Sequence, residues 1–458
     1  MRIFRQYFQS DFHGAFAAVT AVRTKQIPAL LMAGLLCACL MLPAAPVRAE
    51  ETGVKQDAEE ASPDETLQLY AQSAVLMDAD SGRVLYERCG DEQLAMASTT
   101  KIMTLIVTLE NADLEDTVDV TSYAASMPPV HLGMRSGEQY RLRDLVLSLM
   151  LESHNDSAAA IAEHVGGSVE QFAALMNQKA QEIGCTNTYY ITPNGLDAVQ
   201  GDKFHSTTAR DLALVMSYCI TKSPQKDTFL EITRTPNHTF TDLSGRRSFA
   251  CVNHNAFLSM MPGALSGKTG FTAKAGYCYV GALQRDGKTF VVALLACGWP
   301  NHKTYKWSDT RVLMEYGLAH YNYRSFDEVE LPAEATEDII VSNGKGRKIG
   351  EKLQLPVEMV ESAAGREGLL MREDEKVTVT LQKVRGLTAP VVKGQEIGHI
   401  SYAVGNEEWK RVSLITTGEI QAVDLEWCLH KVVEKWMFSG GDRDREKDAE
   451  KTKNLLGD

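Results

Sequence analysis

Hydrophobic and polar positions change pattern several times along the chain, and each change marks a boundary. An almost unbroken apolar run, "IPALLMAGLLCACLMLPAAP", occupies 27–46. Residues 50–65 are acidic and poor in apolar side chains, which predicts a solvated linker. At 73–88, "SAVLMDADSGRVLYER" sets a D-x-D-S-G turn between two apolar runs, the signature of a β-hairpin. "IMTLIVTLEN" (102–111) then reads as a buried helix. In "LRDLVLSLMLES" (142–153), Leu142, Leu145, Val146, Leu149 and Met150 share one helical face. Asn155-Asp156 offers an N-cap for "SAAAIAEHVGG", which stops at a glycine pair. Ser153 and Asn155 are therefore expected on the connection between two helices.

Two further apolar runs, "AGYCYVGALQ" and "KTFVVALLACG", flank "RDGK" (285–288), which predicts a second hairpin. A helix over 308–321 follows. Strands, then helices, then strands and a closing helix predict an α+β domain over 66–323, with helices packed on an antiparallel sheet. Beyond 327 the pattern becomes short strands between Gly- and charge-rich turns, as in "KVTVTLQKV" and "WKRVSLIT". That predicts a small, β-sandwich-like all-β domain over 327–420, with no catalytic cluster, acting as a spacer or interaction module. In 422–438, Leu425, Cys428, Leu429, Val432, Val433 and Trp436 fall at helical spacing, opposite His430, Lys431, Glu434 and Lys435. This amphipathic helix has two readings: docked on the β-domain, or lying in a membrane surface through Trp427, Trp436 and Phe438. Residues 439–458 read as a disordered charged tail.

Composition narrows the function classes. A chain of 458 residues, 44% hydrophobic, can bury a core and form two domains. Its formal net charge of −13 argues against nucleic acid as a partner, since phosphate binding needs a basic footprint. Arg2, Arg5, Arg23 and Lys25 precede the apolar run, and "VRA" (47–49) follows it. Residues 1–49 are thus expected to be an export signal cleaved after Ala49, with retention as an anchor the alternative. Of nine cysteines, two lie in that signal. The other seven lack C-x-x-C spacing, and their odd number argues against a disulfide framework. No closely spaced His and Cys set suggests zinc, so no metal or cofactor is expected.

Candidate chemistry starts at Ser98-Thr99-Thr100-Lys101. S-x-x-K recurs at Ser223–Lys226 and Ser342–Lys345, but those lie in a Pro-containing polar loop and a Gly turn. Only Ser98 opens an apolar helical run, where Lys101 projects from the same face one turn on. An N-cap role for Ser98 is equally consistent with those four residues. S-x-N occurs at Ser153-His154-Asn155, and K-[ST]-G at Lys268-Thr269-Gly270, leading into the strand pair.

With these three motifs in this order, the sequence resembles the penicillin-recognising serine enzymes. Within them it resembles the low-molecular-mass D-alanyl-D-alanine carboxypeptidases. The likeness extends through "VLMDADSGRVLYE", "SHNDSAAAIAEHVGGS", "TPNGLD", "HSTTARDLALV" and "KTGFTAKAGYC", the β-domain and the terminal helix. It implies a transpeptidase-like catalytic domain acting on peptidoglycan stem peptides that end in D-Ala-D-Ala. It also implies inhibition by β-lactams, attachment to the membrane surface and a place on the outer face of the bacterial cytoplasmic membrane. Ser98 would be the nucleophile and Ser153 a proton shuttle. Asn155 would hold the substrate amide and Lys101, and Lys268 and Thr269 the substrate's terminal carboxylate. Gly270 would let the substrate backbone approach the strand edge, and the N–H groups of Ser98 and Phe271 would form the oxyanion hole. Lys101 must be neutral to act as base. An isolated lysine titrates near about 10.4, and burial beside Lys268 would lower that.

A D,D-endopeptidase or transpeptidase would use the same residues. A class A β-lactamase would need an E-x-x-L-N pattern, which "TPNGLD" does not offer. A non-catalytic penicillin sensor or wall-binding protein would be favoured by loss of Ser98 or Lys101, and both are present. His154 reads as a variable middle position and His205 as a structural hydrogen-bonding residue. Cys278 reads as core, and Asn194-Gly195 as a turn.

Overall fold

The computed structural model describes residues 67–361 and 367–437. The predicted signal, the acidic linker, Phe438 and the charged tail lie outside the described residues. Five antiparallel strands form the central sheet: β1 (Ser73–Asp78), β2 (Val84–Arg88), β3 (Ala264–Thr272), β4 (Gly276–Arg285) and β5 (Lys288–Leu295). Their order is β2-β1-β5-β4-β3, which leaves β3 at an edge. Val75 stands opposite Ala293, and Lys268 opposite Val280. Helices α1 (Lys101–Asn111), α2 (Leu142–Leu151), α3 (Asn155–Gly166) and α4 (Tyr305–His320) pack around it.

Strands β1, β4 and β5 are almost continuously apolar because both faces of the sheet are covered. Val75, Met77, Val280, Val291 and Ala293 share one core with Ile102, Ile106, Leu145 and Ile161 of the first three helices. The alternate residues Leu76, Tyr279, Phe290, Val292 and Leu294 share a second core with Leu313 and Met314 of α4. Each fully buried Val, Leu or Phe contributes about 1.5–3 kcal/mol relative to leaving it exposed. Gly317 lets α4 approach closely: a β-carbon there would sit 3.0 Å from Leu76 and 3.2 Å from Phe290.

The hairpin expected at 285–288 forms with Asp286 and Gly287 at its tip, both at positive φ (55° and 74°). That pair of left-handed residues matches the right-handed twist of the flanking strands. In the β1–β2 turn, the Asp78 carboxylate accepts the amides of Asp80 and Ser81. α4 begins at Tyr305, one turn ahead of the expected start at 308. Two local expectations need correction. Asn155 is the first residue of α3, with His154 at the N-cap position, rather than part of the connection. Ser98 is not an N-cap: it lies inside a 3-10 turn, Ala97–Thr100, and no side chain caps α1.

Between α4 and residue 420 the described structure is built of strands and two short 3-10 turns, and a helix over 425–437 follows. Val357–Glu361, Val377–Lys383, Glu396–Val404 and Glu407–Thr416 form a four-stranded antiparallel sheet. A smaller sheet of Ile339–Ser342, Leu353–Leu355 and Leu387–Thr388 packs with it around Val341, Ile400, Val412 and Leu414. The seven cysteines in the described residues are free, and five of them are buried.

Polar contacts centred on Arg83 help tie the all-β region to the central sheet. The Arg83 guanidinium, in the β1–β2 turn, forks onto the Glu375 carboxylate and donates to the Leu370 carbonyl at 2.6 Å. Both side chains are largely withdrawn from water, at 11% and 20% exposure. Removing one partner of such a pair strands the other's charge. Arg83→Ala is therefore expected to cost about 2–3 kcal/mol, read as a shift in the denaturation midpoint, and an unchanged midpoint would refute the clamp.

Candidate active site

The turn that carries Ser98 is bent by its neighbour. Ala97 sits in the left-handed region at φ 48°, a conformation that costs a non-glycine residue about 1–2 kcal/mol. Two glycines make room for it. A β-carbon at Gly195 would come within 2.0 Å of the Ala97 carbonyl oxygen, and Gly195 is itself left-handed at φ 86°. One at Gly270 would come within 2.9 Å of the Ser98 amide nitrogen. The edge strand β3 is thus pressed against the backbone of Ser98, with the Phe271 amide following directly. The Phe271 side chain is half exposed and packs on Tyr277 with ring centroids 4.7 Å apart.

Lys101 is fully buried at the start of α1. Its Nζ lies 2.9 Å from Ser98 Oγ, 3.0 Å from Asn155 Oδ1 and 2.6 Å from the Asn194 carbonyl oxygen. Burial, reinforced by the charge of Lys268 and opposed by that of Asp156, pushes this amine well below the ordinary lysine value. A neutral amine has two N–H donors and one lone pair. Asn155 and Asn194 offer only acceptor oxygens, so they take the two N–H groups. The lone pair is left for the one partner that has a proton to give, the Ser98 hydroxyl.

Ser153 occupies the bend between α2 and α3 at φ 67°. Its Oγ accepts a hydrogen bond from Lys268 Nζ at 3.0 Å, and the same amine donates to the Thr269 carbonyl at 2.9 Å. Burial draws Lys268 down to about 7. Thr269 is half exposed on β3. The residues of the three motifs therefore converge: Ser98, Lys101 and Asn155 by direct bonds, and Ser153, Lys268 and Thr269 by a second set. Gly270 and Phe271 stand at the junction.

Two members of this constellation were read from sequence only as local structure, Asn194 as half of a turn. Asn194 contributes its backbone carbonyl, an atom every residue has, so the only hint was the "TPNGLD" likeness. Asp156 was read as part of an N-cap pair. Its carboxylate instead accepts the amides of Leu132 and Gly133 at 2.8 Å and of Met134 at 3.1 Å. Asn155 adds Nδ2 to the Pro128 carbonyl at 3.2 Å and its own amide to the Val130 carbonyl at 2.8 Å. Together they pin the loop 128–134 beside Asn155. His154 points away, its Nδ1 2.8 Å from Ser148 Oγ. Among the described residues, no three His, Cys, Asp or Glu side chains are grouped to hold a metal ion.

Comparison with known proteins identifies the family. A family profile described as D-alanyl-D-alanine carboxypeptidase matches residues 57–296, and one described as penicillin-binding protein 5, C-terminal domain, matches 370–422. The chain is 26% identical to the D-alanyl-D-alanine carboxypeptidase DacF of Bacillus subtilis, over 84% of this chain and 96% of that one. It is 34% identical to a D-alanyl-D-alanine endopeptidase of Pseudomonas aeruginosa, over 46% of this chain and 67% of the relative. In fold it is similar to penicillin binding protein 5 from Haemophilus influenzae. That match has a TM-score of 0.60 at 24% identity, covering 78% of this chain and 98% of that one.

The charges around Lys101 give a signed expectation. Asp156→Asn removes a negative charge that favours the ammonium, so the Lys101 pKa falls further. Lys268→Met removes a positive charge that disfavours it, so the pKa rises. NMR titration of the 13Cε-labelled lysine reads both, and shifts in the opposite directions would overturn the assignment.

Proposed function

The chain belongs to the D-alanyl-D-alanine carboxypeptidase family and is a serine-type hydrolase, and from that premise we propose how its residues divide the work. Ser98 Oγ attacks the carbonyl of the penultimate D-Ala of a peptidoglycan stem peptide ending in D-Ala-D-Ala. Its proton passes to Lys101, whose lone pair is aimed at it because the two amine hydrogens are held by Asn155 and Asn194. The arrangement of that amine is the observation that carries the proposal.

The backbone N–H groups of Ser98 and Phe271 receive the developing oxyanion. Losing one such donor typically costs about 100- to 1000-fold in rate. Ser153 relays the proton to the departing D-Ala nitrogen, with Lys268 against its hydroxyl. Lys268 and Thr269 bind the terminal carboxylate, the group that a carboxypeptidase must recognise. The edge strand β3 offers its free backbone to an extended peptide. Water then hydrolyses the acyl-enzyme on Ser98. A β-lactam opens on the same serine and blocks it. No cofactor takes part in these steps.

The match to the endopeptidase covers 46% of this chain, whereas relatives matched over 77% or more of it are carboxypeptidases. This favours trimming of single stem peptides over cutting of cross-links. Residues 1–49 serve as the export signal, and the enzyme works at the outer face of the cytoplasmic membrane.

The helix over 425–437 supports a place at the membrane surface. Most of its apolar side chains face solvent: Leu425 is 76% exposed, Leu429 58% and Trp436 77%. Asp424 fixes its start, accepting the Trp427 amide at 2.8 Å and pairing with Lys345 at 2.6 Å. Among the described residues, no helix is long and apolar enough to cross a membrane. An amphipathic helix of this kind lies in the plane of the interface.

Mass spectrometry of products from a stem pentapeptide is expected to show tetrapeptide and free D-Ala, and cleavage confined to cross-linked dimers would favour the endopeptidase reading. Labelled penicillin should modify the wild type at Ser98 and leave Ser98→Ala unmodified. Unchanged labelling of Ser98→Ala would sink the assignment. Liposome flotation should require residues 422–458, and equal flotation without them would refute the anchor.

A further inference from the structure

His205 is a buried imidazole with no part in the chemistry described so far, being 3% exposed and held by three hydrogen-bonding groups. Its Nδ1 accepts the Ile191 amide at 3.0 Å and, more weakly, the Thr192 amide at 3.4 Å. Its Nε2 lies 2.8 Å from Thr100 Oγ1, and that hydroxyl lies 2.7 Å from the Ala97 carbonyl oxygen.

Backbone groups at both ends set the direction of this chain of bonds. An amide N–H can only donate, so Nδ1 carries no proton and Nε2 does. A carbonyl can only accept, so the Thr100 hydroxyl gives its proton to Ala97 and receives that of His205. Both ring nitrogens and the Thr100 hydroxyl thus find partners of the matching kind. Protonating Nδ1 would set a donor against two donors, and burial, with Lys101 nearby, holds the imidazole down to about 3. His205 therefore has no lone pair to offer a substrate and is not a general base.

We propose that Thr100 and His205 are positioning residues for acylation: their relay holds the left-handed Ala97 peptide and so aims Ser98. Ala97 directly precedes the nucleophile, and its carbonyl is the terminus of the relay. The other end grips the amides of Ile191 and Thr192, two residues before the Asn194 carbonyl that holds Lys101. One imidazole thus fixes the distance between the turn bearing the nucleophile and the loop orienting its base. His205 is itself tied at its backbone, its amide donating to the Ala198 carbonyl, while Thr207 and Leu94 exchange bonds on the segment leading to Ser98. A misplacement of about 1 Å in such an arrangement costs on the order of 100-fold in rate.

This inference rests on acylation at Ser98, and its test separates the two. Thr100→Val keeps the shape and removes the relay, whereas Thr100→Ser keeps the hydroxyl. His205→Gln retains a donor at the place of Nε2, whereas His205→Asn retains only an acceptor at that of Nδ1. The full chain of each variant is assayed for the second-order rate of labelling by fluorescent penicillin. Its kcat and KM on a D-Ala-D-Ala peptide are measured too, normalised to the folded fraction from near-UV circular dichroism.

Thr100→Val is expected to lose roughly 10- to 100-fold in labelling rate and kcat, with KM within about threefold. Thr100→Ser should recover most of that loss, and His205→Gln should outperform His205→Asn. Wild-type rates in folded Thr100→Val, equal loss in Thr100→Ser, or His205→Asn matching His205→Gln would each overturn the relay while leaving Ser98 acylation intact. A wild type unlabelled at Ser98 would overturn the underlying reading instead.

Discussion

An amine taken out of water must either keep its proton and forgo solvation or release the proton and become a base. Lys101 is placed so that the second course wins. Its surroundings offer two carbonyl-type oxygens and one hydroxyl, a set matched to two N–H groups and a lone pair. Lys268 stands near enough for its charge to disfavour a second ammonium. The rest of the catalytic region supplies the dry enclosure: a sheet apolar on both faces, and helices whose buried sides close over α1. Without that enclosure the lysine would be an ordinary surface cation, and Ser98 an ordinary hydroxyl.

Close backbone approach is the second constraint. Gly195 and Gly270 bring a loop and an edge strand to within contact of the Ala97–Ser98 peptide. A side chain at either position would push the oxyanion donors away from the nucleophile. The strain at Ala97 persists because it is held from several sides at once, by those glycines and by the Thr100 hydroxyl.

Much of this was readable from residue types. Continuous apolar runs, too long for a one-sided sheet, announced the central strands, and "RDGK" announced its turn. The three motifs named every side chain that meets in the cleft except Asp156. What escaped has a common cause. The Asn194 carbonyl and the left-handed Ala97 are backbone properties, and residue identity does not encode them. Asn155 was placed on a connection because Asn and Asp favour caps, but its side chain is drawn to Lys101 and its amide to Val130, so the helix starts one residue early. The amphipathic pattern of 425–437 was equally compatible with a buried or an open face, because periodicity records that a face is apolar and not what covers it.

The two buried lysines also have a thermodynamic consequence. In the unfolded chain both are protonated until about pH 10.4, whereas in the folded protein Lys268 gives up its proton near 7 and Lys101 well below its ordinary value. Folding at neutral to alkaline pH therefore releases protons, and the unfolded state binds more of them. The sign follows: the contribution of Lys268 to stability is complete above about pH 10.4 and is lost as pH falls toward about 7, and that of Lys101 changes in the same direction. Assembling the cleft thus expels protons into solution, and mild alkalinity favours the assembled form.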